Sequence, residues 1–246
     1  MHKTVILLLL ALVLIPACSS KVAPVEKNAA FYFQEGEDFF EKGLYKDAIA
    51  SWEKVRDSYY SPELNTLAEL KIAEAYFLSE EYIEAAVAYE AFLESHPEHS
   101  RVPDVLYQLG LAYTYQMLAP DQDQTSTNQA LNAFQRLKEN YPKDRRIAEV
   151  QIYIDRCLNM LAARDLIVAN YYLRTGYYTA AINRIEGLLA KYPHYYQSDK
   201  AYYILGQAYS FIGENEKSFT AFNTLFDDYK GSEYIPDARE FIEQNL

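Results

Sequence analysis

Ala169-Asn170-Tyr171-Tyr172-Leu173-Arg174-Thr175-Gly176-Tyr177-Tyr178-Thr179-Ala180-Ala181-Ile182-Asn183-Arg184-Ile185-Glu186-Gly187-Leu188-Leu189-Ala190-Lys191-Tyr192-Pro193 reads as one complete structural unit. Apolar residues recur at helical spacing on both sides of Gly176. Ala169 stands three residues before the aromatic Tyr172, and Ala181 stands four before the large Ile185. Small residues let two antiparallel helices approach closely, and the large ones fill the space between them and the next unit. Gly176 falls at the turn, where a positive φ is cheap for glycine. Pro193 closes the unit because proline cannot continue a helix.

The same register recurs along the chain. Ala48 precedes Trp52, Ala85 precedes Tyr89, Ala130 precedes Phe134 and Ser218 precedes Phe222, each by four residues. Nine residues before the small residue sit Phe39, Tyr76 and Tyr209, with Gly36, Ala73 and Gly206 three residues earlier still. Gly110 and Tyr113 keep that relation in the third unit, where extra residues then intervene before Ala130. Pro97 and Pro142 close two further units, and Gly43 and Gly213 mark two further turns. Ser61-Pro62 reads as an N-cap followed by proline at the first helical position. This is the tetratricopeptide pattern, and it predicts an all-α solenoid of about five helix-turn-helix repeats.

Two departures from uniform repetition stand out. Residues 119–128 are polar and aperiodic, which predicts an exposed loop inside the third repeat. After Tyr141-Pro142, Asp144 is a candidate N-cap, and apolar periodicity then runs unbroken to Arg174. That predicts one helix of about thirty residues, roughly 45 Å long. It divides the array into an N-terminal module, 29–142, holding repeats one to three, and a C-terminal module, 143–246. The second module would hold the long helix and repeats four and five.

The N-terminus carries a different signal. Lys3 is followed by an apolar run from Thr4 to Ile15 and then by Pro16-Ala17-Cys18. This is a secretory signal over residues 1–17, too short for a permanent bilayer span. Its ending resembles the lipobox of bacterial lipoproteins, which makes Cys18 the lipidated first residue of the mature chain. The alternative is a plain signal that leaves Cys18 a free thiol. Residues 18–28 would form a polar tether. Acylation of Cys18 would leave Cys157 alone, without a disulfide partner. Cys157 shares an apolar stripe with Val150, Ile154 and Leu161, which predicts a buried structural thiol.

The formal charge is −12, and loss of Lys3 with the signal takes it to −13. Such a chain is not expected to bind nucleic acid or to adhere electrostatically to anionic lipid. Its 24 tyrosines, five times in adjacent pairs, suit helix packing at the edge of water and also suit binding surfaces. No phosphate-binding glycine loop or nucleophile elbow is present. His96-Pro97-Glu98-His99 lacks a third ligand nearby in sequence and is expected to be a solvated turn. The acidic pairs Glu80-Glu81 and Asp227-Asp228 likewise suit solvated faces. The reading is therefore a non-enzymatic binding protein that needs no metal, nucleotide or other cofactor.

With a lipobox, a short tether, five repeats and a shared long helix, the chain resembles the BamD (ComL) family of outer-membrane assembly lipoproteins. The stretch from Tyr171 to Pro193, with Asn183-Arg184-Ile185-Glu186-Gly187 at its centre, carries most of the resemblance. The loop after the first repeat departs from it: Tyr59-Tyr60-Ser61-Pro62 stands where members carry a Tyr-Pro-aromatic-Gly-Pro turn. The resemblance implies a lipid-anchored protein on the periplasmic face of the outer membrane. It implies binding of the POTRA domains of a BamA-like β-barrel protein by the C-terminal repeats, and contact with other Bam lipoproteins. It also implies capture of unfolded outer-membrane protein precursors by the N-terminal repeats. Arg184, with Asn183 and Glu186, is then the candidate partner contact, since a guanidinium can pair both oxygens of a carboxylate. An intramolecular pair of Arg184 with Glu186 or with a neighbouring helix is the other reading of that residue. Tyr32, Phe33, Phe40 and Phe77 are candidate precursor contacts, and ordinary core is the other reading for each. Another periplasm-facing repeat scaffold, such as a division or secretion coordinator, is the alternative function.

Overall fold

The computed structural model describes residues 27–58 and 61–246. The expected signal, Cys18, nearly all of the tether and the Tyr59-Tyr60 pair lie outside them. Among the described residues the chain forms eleven α-helices and no strand. They are α1 (Ala29–Glu41), α2 (Tyr45–Ser58), α3 (Pro62–Leu78), α4 (Tyr82–Ser95), α5 (Val102–Tyr115) and α6 (Thr125–Asn140). There follow α7 (Ile147–Arg174), α8 (Tyr178–Lys191), α9 (Ser198–Phe211), α10 (Asn215–Asp228) and α11 (Ile235–Asn245). Each helix packs on its successor, as in a solenoid, and α7 also touches α9.

In the first, third and fifth repeats, close approach of the paired helices rests on glycine. A Cβ added to Gly36 would lie 2.4 Å from Trp52, one on Gly110 2.5 Å from Phe134, and one on Gly206 2.6 Å from Phe222. In the fifth repeat the serine has its own reason: Ser218 Oγ donates to the Gly206 carbonyl at 2.7 Å, tying the two helices together. Gly43, Gly176 and Gly213 take positive φ at the helix turns. The second repeat places Glu80 in the same turn, with φ 62. That costs a side chain roughly 1–2 kcal/mol relative to the right-handed region.

The core is a chain of clusters along the array. One centres on Trp52 and Val55, with Ile72 of α3. The next holds Phe92, Leu106, Phe134 and Leu137. A third holds Ile185, Leu188 and Ile204, and a fourth holds Phe222 and Leu225. Helix α7, 28 residues and about 42 Å long, joins the middle two. Its Val150, Ile154 and Cys157 belong to the second cluster, and its Leu161, Leu166 and Ala169 to the third. Cys157 is 1% exposed, so it is a buried structural thiol as its stripe predicts.

Three local expectations need correction. Asp144 does not cap α7, which begins three residues later behind Arg146. The Asp144 carboxylate instead accepts the Arg146 backbone N–H at 2.9 Å and its guanidinium at 2.8 and 2.6 Å, within the turn that precedes the helix. The loop expected over 119–128 ends at Gln124, and Gln124 and Thr127 are buried. Their polarity hides a helix start: Thr127 Oγ1 donates to Gln124 Oε1 at 2.8 Å, and Gln124 Nε2 donates to the Ala119 carbonyl. His96 and His99 are half-buried rather than solvated. Both rings pack on Phe92, and His96 Nε2 lies 2.8 Å from Glu69 Oε2.

Candidate docking surfaces

The second helix of repeat four, α8, buries Ala181, Ile182, Ile185 and Leu188. The intervening positions Asn183, Arg184 and Glu186 therefore face outward. Arg184 Nη1 reaches back to α7 and pairs with Asp165 Oδ1 at 3.0 Å. The pairing with a neighbouring helix is thus present, while the Arg184 side chain stays 44% exposed. Asn183 and Gly187 sit beside it in an open cleft of about 490 Å³ whose other wall includes Asp165 and Tyr172.

Glu186 is placed differently. Its carboxylate accepts the Tyr209 hydroxyl from the next repeat. The same joint recurs one unit pair earlier, where Tyr113 donates to Glu90. Both tyrosines sit 23 residues after their glutamate, so this pair is a repeat joint. Burial and the adjacent carboxylate push the Tyr209 hydroxyl up to about 12.

The four N-terminal aromatics do not form one patch. Tyr32, Phe33 and Phe40 gather around Trp52, with Phe40 at 5.6 Å and Phe33 at 6.5 Å between ring centroids. Lys54 lies 4.9 Å above Tyr32 and Lys71 4.9 Å above Phe40. Phe77 belongs to the next cluster, edge-on to Tyr82 and Tyr115. Tyr115, 60% exposed and stacked on Tyr82 at 4.5 Å, presents more surface than any of the four.

A cationic crevice of about 300 Å³ between α3 and α5 was not legible as a site. Leu67, Lys71, Arg101 and Arg146 line it together with Glu74 and Asp104. Arg146 pairs with Asp104 at 2.9 Å and stands 4.9 Å from the Tyr107 ring centre. Gln108, on the same wall, keeps a buried Oε1 without a hydrogen-bond partner. The run Lys143-Asp144-Arg145-Arg146, basic within an acidic chain, was the available signal. Among the described residues no group of His, Cys, Asp and Glu could hold a metal ion, and no helix is long and apolar enough to cross a membrane.

Comparison with known proteins adds to this geometry. Residues 25–217 match a family model described as YfiO, outer membrane lipoprotein. A Rickettsia prowazekii protein named outer membrane protein assembly factor BamD is 26% identical over 243 residues, covering 96% of this chain and 95% of its own. Proteins of the same name from Vibrio cholerae and Caulobacter vibrioides are 28% and 23% identical, covering 83% and 89% of this chain and 90% and 72% of theirs. Among solved structures, the TPR protein YrrB is similar at 18% identity, with 87% of this chain and 92% of YrrB covered and a TM-score of 0.39. That superposition is loose, and the repeat assignment rests on the helix register itself. The match to the family model spans most of the chain, and the chain belongs to the YfiO family of outer membrane lipoproteins.

Proposed function

We propose that this chain is an assembly factor for outer-membrane β-barrel proteins that works by binding alone. The observation that carries this is end-to-end similarity to relatives named for that role, with 96% of this chain and 95% of the Rickettsia prowazekii protein aligned. In this reading Cys18 bears the lipid and holds the array at the periplasmic face of the outer membrane. Several acyl chains on one residue would anchor it firmly, which the net charge of −12 could not do.

The C-terminal repeats would bind a BamA-like barrel protein through its POTRA domains, with Arg184 and Asn183 as contacts. Arg184 can exchange Asp165 for a partner carboxylate, because an exposed ion pair is weakly held. Tyr32, Phe33, Phe40 and Phe77 would supply aromatic surface to unfolded precursors, and other Bam lipoproteins would complete the complex. Helix α7 supports the two-module reading, since one rigid rod contributes to the cores on either side.

The test is depletion of the chain in its native cell. Barrel proteins should disappear from the outer membrane and accumulate unfolded, and a wild-type copy should restore them while a Cys18→Ser copy should not. Normal barrel levels together with a division or secretion defect would favour the general scaffold instead.

A further inference from the structure

Helix α7 presents a second groove, on another face from Arg184. It has a volume of about 610 Å³ and lies between the C-terminal half of α7 and the start of α9. Leu166 forms part of its floor, and Ile167, Tyr171 and Tyr196 rise from it, exposed by 44%, 61% and 70%. Three large exposed apolar side chains in one concavity are an interaction feature rather than scattered surface residues.

The third wall is the insert in repeat three. Arg164 Nη1 donates to the Gln122 carbonyl at 2.6 Å, which ties the insert to α7 and sets Pro120 at the groove edge. Gln124 is buried and donates to the Ala119 carbonyl, so the loop is held from its own side as well. The extra residues of the third repeat therefore complete a groove in the fourth.

The charge of this groove is opposite to that of the chain. Arg174 on α7 and Lys200 on α9 line it, and no Asp or Glu does, although the chain holds 35 acidic residues against 23 basic. Among the described residues neither cation is in an ion pair; Lys200 lies over the Tyr234 ring at 5.9 Å. Apolar rings beside unneutralised cations fit a ligand that brings both an apolar side chain and a carboxylate. An anionic membrane surface is disfavoured because the rest of the chain repels it.

We infer that this groove docks an extended segment of a partner polypeptide in which acidic side chains alternate with aromatic ones. The aromatic side chain rests on Leu166 between Tyr171 and Tyr196, and the carboxylates meet Arg174 and Lys200. The inference does not depend on the identity of the barrel partner, so it can fail while the assembly role stands.

The test uses full-length protein in detergent and a fluorescein-labelled peptide, Ser-Glu-Phe-Glu-Tyr-Ser, blocked at both ends. Fluorescence anisotropy should show binding that weakens with salt. Affinity should fall at least tenfold in Arg174→Glu and in Lys200→Glu, with unchanged far-UV circular dichroism, and should be unaffected by Lys42→Glu at an exposed position of the first repeat. No binding, equal binding of the Lys-for-Glu peptide, or an equal loss in Lys42→Glu would overturn the assignment. So would binding confined to a Gln-for-Glu peptide with a free C-terminus, which would make the ligand a chain terminus instead.

Discussion

Arg184 Nη1 lies 3.0 Å from Asp165 Oδ1, so the residue proposed to meet a partner is already paired across two helices. At 44% exposure such a pair contributes about 0–1 kcal/mol. Arg184→Glu should therefore lower the melting temperature by only a few degrees while abolishing recovery of the barrel partner. The charge swap Arg184→Asp with Asp165→Arg should restore the melting temperature without restoring the partner. Recovery of the partner by the swap would mean that Arg184 serves the fold alone.

Two helical glycines of this array sit in opposite surroundings. Gly206 has the Phe222 ring where its Cβ would go, while Gly187 in α8 has nothing within 4 Å. Gly206→Ala should cost about 1–3 kcal/mol through overpacking. Gly187→Ala should stabilise by about 0.5–1 kcal/mol, because alanine loses less freedom in a helix. Urea denaturation of the two variants checks both signs.

Acid stability should depend on Asp144. Its hydrogen bonds from Arg146 hold the carboxyl down at about 2, below the ordinary unfolded value of about 3.9. A group depressed in this way contributes stability that is present above the unfolded value and lost as pH falls through the folded one. Urea midpoints measured from pH 6 to pH 2 should show a steeper acid fall in wild type than in Asp144→Asn, with the two curves converging near pH 2.

The thiol of Cys157 is 1% exposed, and burial pushes it up to about 11. Alkylation at pH 8 should leave Cys157 unmodified in the native protein and label it fully in denaturant, as read by peptide mass spectrometry. Native labelling would place local opening at the middle of α7 and contradict its role as a rigid rod.

The repeat architecture was legible because its signal is redundant. The small-to-large spacing at Ala48–Trp52 returns at Ala85–Tyr89, Ala130–Phe134, Ala181–Ile185 and Ser218–Phe222, so one altered position does not hide it. Helix α7 was legible for the same reason, through unbroken apolar periodicity. Its start lies past Asp144, whose carboxylate satisfies Arg146 within a turn instead of opening the helix. The start of α6 is hidden in the sequence because Gln124 and Thr127 are polar yet buried, with Thr127 bonded to Gln124.

Sites were harder to read, because they depend on residues distant in sequence. Asp165 faces Arg184 from another helix, nineteen residues away. Glu186 bonds Tyr209, twenty-three residues on, only with the next repeat in place. Pro120 reaches the groove on α7 with the insert held by Arg164, forty-two residues after Gln122. Periodicity along one chain carries no information about such meetings.

The most direct test of the assembly role is a native pull-down from detergent-solubilised outer membranes, using a tagged full-length copy with Cys18 intact. A large β-barrel protein carrying POTRA domains is expected at comparable stoichiometry, and it is lost when Arg184 is replaced by glutamate. Recovery of peptidoglycan-linked or division proteins without that barrel would overturn the assembly role.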